Sequence, residues 1–407
     1  MRVPLRAIRI GLVVVVIALL VPLAAGFLGQ TGSPGPTDAT TTSSESVTPS
    51  PDGTTVRTHS PSDQPEHLVY VVDAAGPAQL TVVDRTTEEV VFKTTEYQIY
   101  HDVDPSPAGE RTLLYTASNI YGGDACAEVP TDSCTLNVVE RVNYSTGETE
   151  RLYSRLLNYN GSSNTHDVDR ISGTEYLVGD IQFDRVFVVN TSDGTVEWTW
   201  EAASAFDRSS GGKPDDWTHL NDVEVLDDGR YMANLRNQDQ VVFLDRERGL
   251  LENWTLGSDG DHEVLYEPHN PDYIPAEMGG PAILIADSEN NRIVEYQRRN
   301  GTWERTWLWT DERLQWPRDA DRLPNNNTLV VDTHGTRILE VAPNGTVVAE
   351  RSVPRGVYEA ELLSTGPESD GGYSMARIRH DTASAAVGGP AGPIERARKG
   401  FLDLFPP

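Results

Sequence analysis

Six short acidic patterns, spread along most of the chain, restrict its fold more than any other feature. They read His101-Asp102-Val103-Asp104, His166-Asp167-Val168-Asp169, Asn221-Asp222-Val223-Glu224, His269-Asn270-Pro271-Asp272, Arg318-Asp319-Ala320-Asp321 and Tyr358-Glu359-Ala360-Glu361. Successive starts lie 65, 55, 48, 49 and 40 residues apart. A period in this range marks a repeated supersecondary unit that cannot bury its apolar face alone and must stack on its neighbours. Behind each pattern come a turn and a short apolar run, such as Tyr176-Leu177-Val178 or Ile283-Leu284-Ile285. A third run follows (Val186-Phe187-Val188-Val189, Val241-Val242-Phe243-Leu244), and a tryptophan-rich fourth closes the unit, with Trp198, Trp200, Trp254, Trp303, Trp307 and Trp309 in such positions.

Four short strands per unit of roughly 40 to 50 residues predict an all-β chain folded as a β-propeller. Six unit starts predict six blades, and the count becomes seven if the N-terminal strands form a unit of their own. The last unit supplies two expected strands, 357–363 and 373–379, while 68–73, 79–84 and 89–94 precede the first unit. Pairing those N-terminal strands with the C-terminal inner strand would close the ring and remove exposed edges. The propeller domain is therefore expected over residues 67–381.

The flanks have a different character. Residues 1–30 hold Arg2, Arg6 and Arg9 ahead of an uncharged, largely apolar run from Ile10 to Leu28, which reads as a membrane anchor or a cleaved signal segment. Residues 31–66 are Thr/Ser/Pro-rich and read as a disordered stalk, and 382–407 as a C-terminal tail. This predicts a domain at the cell membrane, facing the extracellular side. Cys126 and Cys134 suit a local disulfide there, with unpaired thiols as the alternative. Seven Asn-x-Ser/Thr sequons (Asn143, Asn160, Asn190, Asn253, Asn300, Asn326, Asn344) agree with that placement. With 62 acidic against 33 basic residues and a net charge of −29, the surface fits a halophilic setting and repels nucleic acid. His59 and His67, in or beside the stalk, are expected to be solvated.

Between the second and fourth units the sequence becomes distinctive. Asp216-Trp217-Thr218-His219-Leu220-Asn221 is followed by Asn234-Leu235-Arg236-Asn237-Gln238-Asp239-Gln240, then by Glu267-Pro268-His269. This set resembles the arylsulfate sulfotransferases, whose corresponding blade carries an aspartate-tryptophan-x-histidine-x-asparagine start and a serine-arginine-histidine-glutamine strand. Here Asn234-Leu235 precedes the arginine and Asn237 replaces the histidine after it. No counterpart of the family's N-terminal β-sandwich is expected in these residues. The resemblance implies that His269 is the transiently sulfated histidine, that His166 and His219 are channel histidines, and that Arg236 binds the sulfuryl group.

The chemistry suits those residue types. A neutral imidazole is a good covalent nucleophile near pH 7, and a fixed guanidinium stabilises the charge on sulfuryl oxygens. The expected partners are a small aryl sulfate donor and a phenolic or other hydroxyl acceptor, with no cofactor. A metal centre is the competing use of three inward histidines, though Arg236 would oppose a cation. No phosphate-binding Gly-rich loop and no serine nucleophile elbow occur. The segment Ala286-Asp287-Ser288-Glu289-Asn290-Asn291-Arg292-Ile293 also resembles repeats of non-catalytic propellers, so a cell-surface module binding protein or carbohydrate is the second expectation. His101 and His334 are left outside the catalytic set.

Overall fold

A computed structural model describes residues 67–73, 77–106, 111–363 and 371–388. The expected anchor, stalk and His59 lie outside them, as does most of the expected tail. Six antiparallel sheets follow one another around a central channel, forming a six-bladed propeller. Blade one consists of Ile99–Pro105, Thr112–Gly122, Ser133–Asn143 and Glu148–Asn158. The innermost strands of blades two to five are Thr165–Arg170, Leu220–Val225, Pro268–Ile274 and Pro317–Arg322. Blade six joins the two ends of the propeller: its inner strand, Val357–Leu362, pairs with His67–Val72, followed outward by Gln79–Asp84 and Val90–Thr94. The N-terminal strands therefore complete the sixth unit.

Apolar middle strands explain the stacking. Both faces of each are buried between neighbouring blades, as in Ala282–Asp287, where Ile283 and Ile285 join one core cluster while Leu284 and Ala286 join the next. Strands buried on both faces carry near-continuous apolar runs.

The acidic patterns are the joints between blades. The second residue of a pattern accepts the backbone N–H of the third residue of the next: Asp102 from Val168 at 3.2 Å, Asp167 from Val223 at 2.9 Å, Asp319 from Ala360 at 3.0 Å and Glu359 from Val103 at 3.1 Å. The last of these links blade six to blade one. Two joints depart from the rule, because Pro271 has no N–H to offer Asp222 and Asn270 replaces the acid in blade four. There the fourth residues take over, Glu224 accepting from Tyr273 at 3.1 Å and Asp272 from Arg322 at 2.9 Å.

Three expectations need correction. Residues 373–379 are not a strand: a helix runs from Met375 to Gly388. The Ser374 hydroxyl caps it by accepting Arg377 N–H at 3.3 Å, and both Glu295 carboxylate oxygens accept Met375 N–H. Ile378 packs it onto a core cluster. In blade three the expected outer strand is reduced to Gly249–Leu250 and Leu256–Gly257 around a 3-10 turn holding Trp254. Arg230 and Arg298 lie over that indole at 3.8 and 4.1 Å and hold it by cation–π contact. His67 is not solvated but buried, with Nδ1 3.3 Å from Tyr144 Oη. Cys126 and Cys134 are disulfide-bonded.

Candidate functional site

All six innermost strands break register at the start of the pattern. Pairing with the next strand skips His101, His166, Asn221, Arg318 and Tyr358 in their blades, and both Asn270 and Pro271 in blade four. A bulge leaves a residue out of the ladder and re-aims its side chain. Two residues before the pattern, the backbone is left-handed in four blades, with φ of 47° at His219, 46° at Glu267, 57° at Trp316 and 84° at Gly356. For the three non-glycine residues this costs about 1 kcal/mol or more each. The strain collects at one mouth of the channel, where His219, Glu267 and Trp316 all stand.

These devices bring the polar rings together. His101 and His166 have ring centroids 3.9 Å apart, and His166 and His219 5.3 Å. Tyr358 links the group, 5.1 Å from His101 and 6.2 Å from His269 between centroids, with its hydroxyl 3.3 Å from His166 Nδ1. Arg318 lies 4.4 Å over Tyr358 and 4.2 Å over Trp316, and pairs with Asp73 at 2.8 Å. The sequence-predicted His166, His219 and His269 are thus gathered at one place. His101, Arg318 and Tyr358 belong to the same ring although they were left out of the catalytic set. Their signal was positional, since each opens one of the acidic patterns. His334 stands apart, stacked on Trp316 at 4.5 Å.

The tautomer of His269 follows from its partners. Nδ1 lies 3.1 Å from the Glu267 carbonyl oxygen and 2.7 Å from Ser288 Oγ. A carbonyl can only accept, and the Ser288 hydroxyl donates its proton to the Pro317 carbonyl at 2.6 Å. The imidazole proton therefore sits on Nδ1, and Nε2 carries the lone pair. The Pro268 carbonyl beside it accepts from Asn234 Nδ2 at 2.6 Å, and the same amide nitrogen donates to Asn221 at 2.6 Å. His269 is 1% exposed. Its backbone is pinned as firmly as its ring.

His219 is held differently, with Nδ1 2.8 Å from Asp216 Oδ1. Trp217 between them is buried, its indole N–H donating to the Ser210 carbonyl at 2.7 Å. Arg236 begins the 3-10 turn after the second strand of blade three and forms an ion pair with Glu267. Asp216, Arg236 and Glu267 share a cleft of about 360 Å³ with Lys213, His262 and Tyr266, the last two rings stacked at 3.8 Å.

Electrostatics keep the imidazoles neutral. Burial pushes His101 down to about 4. His166 lies well below the ordinary histidine value through burial and then the neighbouring His101 and His219. His269 lies well below it through burial and then the Arg318 and Arg236 charges. Burial also lowers His219, with Asp216 opposing. Further along the inner strands, the channel is lined by carboxylates, among which burial and then mutual repulsion hold Asp102, Asp104, Asp222 and Glu359 well above the usual range. The arrangement offers neutral nucleophilic imidazoles, two guanidinium groups and a buried phenol at one mouth.

No known family matches the sequence. The ATP-dependent ubiquitin transferase-like protein Cap2 of Enterobacter hormaechei is 27% identical over 172 residues, covering 40% of this chain. The chain spans only 27% of that relative's length. The crystal structure of a protein of unknown function from Bacteroides caccae superposes with a TM-score of 0.52 at 11% identity, covering 73% of this chain and 98% of that one. A putative 6-phosphogluconolactonase from Bacteroides fragilis gives 0.45 at 12% identity over 75% and 100%. Likeness at such identity concerns the fold alone.

Proposed function

We propose that the propeller is an aryl sulfotransferase that moves a sulfuryl group from a phenolic sulfate ester to a hydroxyl acceptor through a sulfated His269. The observation that carries this reading is the fixed tautomer of His269, which leaves its Nε2 lone pair unprotonated on a buried ring that feels the charges of Arg318 and Arg236. In the first half-reaction Nε2 attacks sulfur, the N–S bond forms as the S–O bond to the aryl group breaks, and the phenolate leaves. Arg236 and His166 hold the sulfuryl oxygens. His219 is neutral in the free protein; the anionic aryl sulfate bound beside it, together with Asp216 at 2.8 Å, draws in the proton that it then gives to the leaving oxygen. In the second half the acceptor hydroxyl loses its proton to His219, its oxygen takes the sulfuryl group, and His269 is regenerated. Kinetics should be ping-pong. The membrane-anchored, outward-facing placement read from residues 1–66 belongs to the same proposal.

The test is incubation with a chromogenic aryl sulfate and a phenol in high salt, with mass analysis of the peptide containing His269. Sulfuryl transfer with a mass gain on that peptide is expected. Phenol release without either outcome would discard the proposal.

A pH dependence follows from the same geometry. Only unprotonated Nε2 can attack, and the proton affinity of His269 in the free protein is held below the ordinary 6.5. The acid limb of kcat/KM, which reports the free enzyme, should therefore fall below pH 6.5. A limb at or above that value would exclude His269 as the nucleophile.

A further inference from the structure

The blade-to-blade joints leave one carboxylate without its counterpart. Asp222 stands where Asp102, Asp167, Asp319 and Glu359 each receive a backbone N–H, but the residue facing it is Pro271. Its Oδ2 is buried and receives no N–H or hydroxyl, its carboxyl meets only the neighbouring Asp167 carboxyl, and the residue is 8% exposed. An orphaned buried carboxylate oxygen is costly, and its persistence calls for a ligand. Asn270 repeats the pattern: its amide donates to Glu359 Oε2 at 3.3 Å, while its Oδ1 is buried and unpartnered.

Both residues line the same small channel cavity as Asp102, Asp104 and Glu359. One oxygen from each of those three acids lies within 4.8 Å of the others. Oxygens bound to a cation at roughly 2.4 Å can stand at most about 4.8 Å apart, twice that radius. The three are already within the span that one ion can bridge. Every donor here is an oxygen, which selects a hard ion over zinc or copper.

We propose that the channel binds one hard divalent cation of calcium size, held by Asp102, Asp104 and Glu359, with Asp222 and the Asn270 carbonyl oxygen completing the oxygen shell. The site lies next to the histidine ring, its ligands Asp102, Asn270 and Glu359 each following a ring residue along an inner strand, but cation binding does not depend on the sulfuryl chemistry. Its role is to neutralise the acids that line the axis and so tie the inner strands of blades one, three, four and six to one centre.

Calorimetric titration of the chelator-treated full chain with calcium chloride tests this, in roughly 1 M potassium chloride to screen the acidic surface. One saturating equivalent and a raised unfolding temperature are expected. Asp104→Asn and Glu359→Gln should each weaken binding tenfold or more. Pro271→Ala, which supplies the missing N–H to Asp222, should weaken binding while the cation-free fold keeps its stability. No saturable binding by the unsubstituted chain, or unchanged affinity in both Asp104→Asn and Glu359→Gln, would overturn the proposal.

Discussion

Replacing His269 with asparagine is expected to lower sulfuryl transfer by a factor of about a thousand or more, because removal of a covalent nucleophile eliminates the two-step route. Asparagine is smaller than histidine and can still meet the Ser288 hydroxyl, so folding should survive. The sulfated peptide should disappear with the activity. Arg236→Ala should leave the intermediate accessible but slow its formation about a hundredfold, the scale of one lost transition-state donor. The Glu267 carboxylate, freed from its ion pair, would then face the incoming anion and add repulsion. A His269→Asn protein retaining transfer within tenfold of the parent would remove the covalent mechanism.

The largest stability effect is expected at Arg322. Its side chain is 1% exposed and that of Glu295 0%, and they pair at 2.9 Å. Glu295 also accepts the Thr306 hydroxyl at 2.8 Å and the Met375 N–H, so one carboxylate ties blade four to blade five and to the C-terminal helix. Arg322→Ala leaves that charge buried and unpaired, which costs roughly 3–5 kcal/mol. Replacing both partners, Arg322→Met with Glu295→Leu, should recover much of the loss, because no buried charge is left alone. Denaturant unfolding of the parent and the two variants measures this. A single-variant loss under about 1 kcal/mol would mean that the pair is solvated in solution.

The blade count was readable from the spacing of the acidic patterns, and ring closure from the leftover N-terminal strands. The function of the patterns as joints was not, because an acid accepting a neighbouring blade's N–H has no local sequence signal. The same gap explains the site. His269, His219, His166 and Arg236 were found through local motifs, while His101, Arg318 and Tyr358 join them only through register, each at the bulge that opens its blade. Residue type misled where position would have served. The C-terminal helix was missed because its start depends on Glu295, a distant partner. Trp254 was assigned to a strand because tryptophan favours strands, whereas two arginines capture it in a turn.

The shared sixth blade sets a timetable for synthesis. His67–Val72 must wait for Val357–Leu362 before it has an inner neighbour, so pairing spans almost the whole described chain, and contacts this distant form late. Tyr358 and Arg318 arrive with those last residues. On the ribosome, a nascent chain holding every histidine of the ring would still have an open mouth until the inner strand of the sixth blade emerges and pairs.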